Sequence, residues 1–382
     1  MYAYASRGLL RRHRQADGSS RFDPADLERL AARGRRVKAS HEPWSIESAV
    51  TSLQHPVPCY RGHPVDRLAR TRTFEEVAML LWTGAMADDS PWQPHPEISA
   101  AATLVQEALP DEASAYDRLR VAVATIATCC QRPSESREDI VRIGRGLIAG
   151  MVEALPPASG GARRSDDLAQ GTLAARLWTR LSPLPLDERG ERLLNAALII
   201  CADHELTPST LAARLAAGIG ADPYSVVLTA LGVTVDTTHH PSLSEAERLI
   251  AHLPAPVLVD SHFAALGDRK GPVAGFGHEL YPQGDPRAAI LLTELQRAQP
   301  SAERMDRITA LLSAAASAGL PPPNGFLALA AVTHCFSMQT GSASVIRAIA
   351  RTAGWLAHAL EEYASSSVRR QRAVYVGAPP TS

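Results

Sequence analysis

The chain has 382 residues, a formal net charge of −1, 45% hydrophobic and 21% charged residues. That length suits two domains, or one with a lobe, around a sizeable core, and the balanced charge argues against nucleic acid as the partner of the whole molecule. No run approaches the roughly eighteen apolar residues of a membrane span, and arginines at Arg7, Arg11, Arg12 and Arg14 interrupt any secretory leader, so a cytoplasmic location without membrane contact is expected. The five cysteines, Cys59, Cys129, Cys130, Cys201 and Cys335, have no metal-ligand spacing and read as reduced core thiols. No metal site is expected.

The first forty residues carry nine Arg and one Lys against four acids. Within them "FDPADLERLAARGRR" opens a helix with Asp23 as cap and Pro24 in its first turn. "VPCYRGHPV" (57–65) is the best strand-like run in a sequence that has few. In "TFEEVAMLLWTG", Thr73 and Glu76 form a capping box, the apolar spacing is helical, and Gly84 closes the element. A Gly/Pro/Ser-rich break at 156–165 reads as a surface loop. "TPSTLAARLAAGIG" starts at Thr207 with Pro208 in the first turn and ends at Gly218 and Gly220. "LPPPNG" (320–325) is a second break, and "SVIRAIARTAGWLAHALEEY" (344–363) is a helix with Ile346, Ile349, Ala353, Leu356 and Leu360 on one stripe. These elements give an all-α protein.

Five segments carry chemistry. "ADHELTPST" (202–210) places His204 before a helix start, and "DTTHHPSLSE" (236–245) holds His239 and His240. "GFGHELYPQGDPRA" (275–288) supplies His278 and Arg287, "RTAGW" (351–355) Arg351, and "RRQRAVYVG" (369–377) a group of arginines including Arg370. Each alone has an ordinary explanation as a cap, a turn or a solvated charge. Together they combine imidazoles, which donate to or protonate a carbonyl oxygen, with guanidiniums, which bind carboxylates bidentately. That inventory suits a small di- or tricarboxylic acid whose carbonyl is attacked.

The order and wording of these segments resemble the citrate synthase family. "GFGHELYPQGDPRA" is similar to its G-[FY]-G-H…DPR segment and "ADHEL" to its A-D-H-E segment. "ARTAGWLAHALEE" is similar to its R-x-x-G-W-x-A-H-x-x-E helix, and "YRGHPVDRLARTRTFEEVAMLLWTG" to its early Y-R-G…FEEV segment. The resemblance runs from about residue 50 to 377. It implies a large helical domain (41–238 and 336–382), a small one (239–335), a homodimer, and condensation of an acyl-CoA with a 2-oxo acid such as oxaloacetate. No permanently bound cofactor is implied; the coenzyme A thioester is a co-substrate. By the same resemblance His204, Arg287 and Arg351 hold the oxo acid, and Arg370 reaches it from the neighbouring subunit. His278 hydrogen-bonds its carbonyl and protonates the alkoxide. His240, or His239 in another register, hydrogen-bonds the thioester oxygen, and the backbone of Val273, Ala274, Gly275 and Gly277 approaches coenzyme A.

Two departures touch the acyl side. The family's L-H-G-G-A-N-E has lost its glycines at Thr238–Glu245. Its enolising Asp, in P-N-x-D-F, falls on Gly325 or Asn324 of "PPPNGFLALAA", and neither accepts a proton near neutral pH. A Phe of the arginine helix has become Arg347. Three readings follow: condensation with an altered acyl donor, one that loses CO₂ included; a ligand-binding or regulatory paralogue; or another thioester reaction on the same scaffold. The N-terminal stretch resembles the closing part of a MerR- or excisionase-type winged helix. DNA binding, which needs both helices of the helix-turn-helix, is not expected.

Overall fold

The computed structural model describes residues 12–14, 20–22, 46–86, 91–94, 96–110, 112–129, 136–158, 171–233, 243–253 and 273–365. Contacts divide the chain into two compact units, Met1–Ser48 and Ala49–Ser382. In the first, β1 (Arg12–Arg14) pairs antiparallel with β2 (Ser20–Phe22). The Asp23-capped helix and the winged-helix resemblance lie otherwise outside the described residues.

The second unit is helical, as the sequence leads one to expect. Its only sheet among the described residues is small: β3 (Thr51–Ser52), β4 (Cys59–Tyr60) and β5 (His63–Pro64), antiparallel in that order. The helices follow: α1 (Val65–Thr71), α2 (Phe74–Thr83), α3 (Pro96–Glu107), α4 (Ala115–Cys129), α5 (Arg137–Ala154), α6 (Leu173–Leu181) and α7 (Glu188–Cys201). After them come α8 (Pro208–Gly218), α9 (Pro223–Val233), α10 (Leu243–Ala251), α11 (Pro286–Arg297), α12 (Ala302–Ser317), α13 (Gly325–Cys335) and α14 (Ser342–Tyr363). No helix among the described residues is long and apolar enough to cross a membrane.

The start and stop signals act as anticipated at α2. Thr73 and Glu76 exchange the reciprocal bonds of a capping box, and Gly84 closes the helix in the left-handed region at φ 82°. Thr207 occupies the cap position of α8, but its hydroxyl bonds those of Ser209 and Thr210 rather than a backbone N–H. Cys129 is a correction: it ends α4 exposed, not in the core, whereas Cys59 and Cys335 are buried. Cys130 lies outside the described residues.

The organising element is α14. Its sequence reads as one apolar stripe, yet from Ser342 to Leu360 every residue except Ser344 and Arg347 is buried. The small residues Ala343, Ala348, Ala350, Ala353, Gly354, Ala357 and Ala359 let helices approach from every side, so the helix is a central post rather than an amphipathic surface helix. It packs against α2, α4, α5, α7, α8, α9, α10 and α13. Polar groups fix its register. Trp82 donates its indole N–H to the Ala353 carbonyl at 2.9 Å, and Arg214 of α8 binds Glu361 and Glu362 at 2.7 and 2.5 Å. Glu247 of α10 accepts the Gly341 and Ala343 N–H groups at 3.1 Å each, a carboxylate at the positive end of the helix.

Candidate active site

The turn after α7 is held from three directions. The Tyr60 hydroxyl accepts the Asp203 N–H at 3.1 Å and lies within bonding distance of the carbonyls of Ile199, Ile200 and Asp203. Asp203 accepts from Thr51 Oγ1 at 2.6 Å and from the Glu205 N–H at 3.0 Å, and stands 3.3 Å from His358 Nε2 on α14. Burial alone would raise the Asp203 pKa; His358, Arg351 and the bonded Thr51 together outweigh it and bring it below its ordinary value. On the third side Gly354 of α14 runs against the turn so closely that a Cβ there would sit 2.4 Å from the Ala202 carbonyl oxygen. Glu205 absorbs the bend at φ 56°, costly for a residue with a Cβ. His204 is thereby fixed with 5% exposure.

The second segment, 273–285, is shaped by the chain that leads into α13. Gly277 donates its N–H to the Pro322 carbonyl at 2.8 Å, and the Asn324 N–H donates to the Gly275 carbonyl at 2.9 Å. Gly275 has φ 87°, and a Cβ there would meet Leu327 at 2.8 Å, so glycine is required for packing at that point. His278 then emerges with its ring centroid 5.5 Å from that of His204. Tyr281 completes the cluster: its hydroxyl lies 3.0 Å from His204 Nε2 and its ring 4.9 Å from His278. The Leu280 N–H donates to His278 Nδ1 at 3.2 Å, which places the proton of a neutral ring on Nε2.

Three guanidiniums surround these rings. Arg287, in the first turn of α11, stacks over Tyr281 at 5.7 Å and is held bidentately by Asp285 at 2.9 and 2.7 Å. Asp285 is also the N-cap of α11 and accepts the Gly325 N–H at 2.8 Å, joining the starts of α11 and α13. Burial opposes ionisation of Asp285, but the bonded Arg287 holds its carboxyl below the usual range. Arg351 of α14 is 3% exposed and donates Nε–H to the Cys201 carbonyl at 2.9 Å. Its Nη1 is buried with no hydrogen-bond partner among the described residues. Arg347, one turn earlier, lies over the Phe326 ring at 5.6 Å.

This arrangement determines protonation. Burial, reinforced by Arg287 and Arg351, pushes the His204 pKa well down, and burial with Arg287 lowers that of His278. Both rings are neutral at physiological pH, so they donate through N–H groups while the positive charge resides on the arginines. Burial raises the Tyr281 pKa, keeping its hydroxyl protonated. A pair of neutral imidazole donors beside guanidiniums can hold a carbonyl compound bearing carboxylates.

Of the residues expected from the sequence, His204, His278, Arg287 and Arg351 come together, and Val273, Ala274, Gly275 and Gly277 lie on the strand of chain that carries His278. His239, His240 and Arg370 lie outside the described residues. Tyr281, Asp285 and Asp203 escaped the sequence reading. Asp285 was discoverable as an Asp-Pro helix start, and Tyr281 by its position three residues after His278. A concavity of about 1340 Å³ elsewhere on the fold shares none of these residues, and Glu153 and Glu247 in it are already engaged, with Arg180 and with the start of α14.

The family model for "Citrate synthase, C-terminal domain" matches residues 43–372. The chain belongs to the citrate synthase family. Among its relatives, Citrate synthase 2 of Bacillus subtilis is 26% identical over 352 residues, 86% of this chain and 93% of that one. The 2-methylcitrate synthase 2 of Corynebacterium glutamicum is 26% identical over 346 residues, 83% and 88% of the two chains. A citrate synthase of Thermoplasma acidophilum, solved as a ternary complex with carboxymethyl coenzyme A and oxaloacetate, shares the fold with a TM-score of 0.69 at 22% identity, over 90% of this chain and 97% of that one. The Pyrobaculum aerophilum citrate synthase superposes with a TM-score of 0.71, again at 22% identity, over 89% and 92%.

Proposed function

We propose that this chain condenses an acyl-CoA with a 2-oxo acid of the oxaloacetate type, on an acyl side altered from that of its relatives. The observation that carries the reading is the convergence of His204, His278, Arg287 and Arg351 from three separate segments. The oxo acid's carboxylates meet Arg287 and the free Nη1 of Arg351. His204 donates to the acid, and His278 Nε2–H donates to the carbonyl oxygen, then gives it a proton as the carbon is attacked. The thioester oxygen meets His240, or His239. Coenzyme A runs along the backbone of Val273–Gly277, and Arg370 enters from a second copy in a homodimer. Closure of a small domain (239–335) on a large one (41–238 and 336–382) excludes water from the intermediate. Relatives named as citrate and 2-methylcitrate synthases make acetyl and propionyl the first donors to test.

The start of α13 favours a second reading, a protein that binds the dicarboxylate without condensing it. Asn324 is committed as the N-cap: Oδ1 accepts the Phe326 and Leu327 N–H groups, and Nδ2 donates to the Gly277 carbonyl at 2.9 Å. Counted without a gap from this Asn, the Asp of P-N-x-D-F falls on Phe326, a register that the sequence reading passed over. Gly325 is a poor place for an acid in any case, because its Cβ would point at Asp285 Oδ2, 3.3 Å away. On every count no acid stands where the enolising base is expected, and a general base contributes on the order of 10²–10⁴ in rate.

The test incubates the purified protein with oxaloacetate and acetyl-, propionyl- or malonyl-CoA, following free thiol and product mass. Thiol release with a condensed product supports the synthase reading. Dicarboxylate binding without thiol release selects the second. Release by malonyl-CoA alone identifies a donor whose enolate forms by loss of CO₂.

A further inference from the structure

Arg347 has no role in that scheme and no evident structural reason for its charge. It is one of only two incompletely buried positions between Ser342 and Leu360, and it stands four residues before Arg351, a spacing at which like charges repel along a helix. The pair is drawn closer to uncompensated by its surroundings. Burial, then Arg351 and Arg287, lower the Arg347 pKa to about 10, so it remains charged at neutral pH but at a cost. The two carboxylates of the site are engaged elsewhere. Asp285 is bonded to Arg287, and Asp203 to Thr51 and His358. Among the described residues no hydrogen bond or ion pair reaches the Arg347 guanidinium, which lies over the face of Phe326. A ring beneath a guanidinium fixes its plane and leaves its edge N–H groups facing outward.

We propose that Arg347 is a carboxylate-binding residue, through which the site takes a third carboxylate beyond the two of the oxo acid held by Arg287, Arg351 and Arg370. This rests on the reading of Arg287 and Arg351 as the oxo-acid clamp. The third carboxylate has two sources, a single small tricarboxylate or an acyl donor that carries a carboxylate of its own. Phe326 positions the guanidinium and presents an apolar face to the carbon skeleton between the charges.

Isothermal titration of the full chain with malate, tricarballylate and citrate tests the first source. Titration with acetyl-CoA and malonyl-CoA, in the presence of malate, tests the second. The wild type is expected to bind at least one tricarboxylate about 10- to 100-fold more tightly than malate, or malonyl-CoA more tightly than acetyl-CoA by a similar factor, the range for one charge-assisted bidentate contact. Arg347→Met removes that preference and leaves malate affinity within about threefold, whereas Arg347→Lys retains part of it. Thermal melts of both variants establish that they fold. Equal affinity for guests with two and three carboxylates, or an equal loss for both in Arg347→Met, overturns the proposal while leaving the two-arginine clamp in place. Failure of every guest to bind overturns both.

Discussion

The close approach of α14 to the 202–204 turn makes Gly354 the most sensitive small position near the site. In Gly354→Ala the new Cβ would lie 2.4 Å from the Ala202 carbonyl oxygen, 2.5 Å from Asp203 Oδ1 and 2.9 Å from Asp203 Cβ. Carbon–oxygen contacts ordinarily begin near ~3.3 Å, so turn and helix must part by roughly 0.9 Å. The first of those atoms is backbone, and Asp203 is held by Thr51 and Glu205, so no flexible side chain can yield instead. Overpacking of this kind costs about 1–3 kcal/mol, and here the upper end applies, less about 1 kcal/mol gained in helix propensity. A net loss of roughly 2 kcal/mol lowers the melting temperature of a chain this long by about 2–3 °C. Moving His204 by about 1 Å relative to Arg351 also weakens dicarboxylate binding by at least tenfold. Gly146 on α5 is the control, since nothing lies within 4 Å of its added Cβ; Gly146→Ala is expected to be neutral or slightly stabilising. Calorimetric melts and malate titrations decide the matter. If Gly354→Ala melts within about 1 °C of the wild type and binds malate normally, the turn is not held as argued.

Asp285→Asn keeps a capping oxygen for α11 but leaves the largely buried Arg287 without its counter-charge, so it is expected to cost on the order of 3 kcal/mol in denaturant unfolding. The carboxyls of Asp285 and Asp203 titrate below their ordinary values. Their contribution to stability is therefore complete above the unfolded pKa near ~3.9 and is lost as pH falls below it; Asp285→Asn flattens that acid limb in melts taken between about pH 5 and 2. The depressed pKa values of His204 and His278 act in the other direction from a salt-bridged histidine: the unfolded chain binds protons that the folded one refuses, so stability declines as pH drops below about 6.5. Imidazole NMR signals of both residues are expected to remain those of neutral rings at pH 6, and a ring that titrates at its ordinary value refutes the assignment. Phe326→Asp, which restores a carboxylate one residue inside α13, is expected to raise thiol release from acetyl-CoA with oxaloacetate by at least about tenfold; a folded variant with unchanged release argues against position 326 as the place of the base.

Much of the helical frame was legible because its signals are local. The capping box of Thr73 and Glu76, the break at Leu320–Asn324 and the long apolar run of α14 each specify themselves within a dozen residues. What was not legible depends on contacts distant in sequence. The stripe on α14 suggested a half-exposed helix, and only packing by helices from both ends of the chain shows it buried all round. Asp285 and Tyr281 acquire their meaning from Gly325 and His204, 40 and 77 residues away. The packing of the 275–277 loop was equally hidden, since Leu327 and Pro321 stand where side chains at Gly275 and Gly277 would go.

The same dependence on distant contacts explains why Gly325, Asn324 and Arg347 were read as separate losses. Read along the chain, a base has vanished from one segment and an aromatic from another, and each change alone suggests decay. In space the two positions are partners, since Arg347 lies over the Phe326 ring; if the ungapped register proposed above holds, the pair has exchanged an acid and an aromatic ring for an aromatic ring and a cation. Decay of a carboxylate needs no compensating cation, and an i, i+4 arginine beside Arg351 carries an electrostatic penalty that drift would tend to remove. A site selected to bind a further negative charge supplies a reason for both changes at once. The double variant Phe326→Asp/Arg347→Phe separates these histories. If the positions act together, it regains acetyl-CoA-dependent thiol release and loses the preference for a third carboxylate, and the two effects exceed those of either single change. If the single variants simply add, Phe326 and Arg347 are neighbours without a shared function.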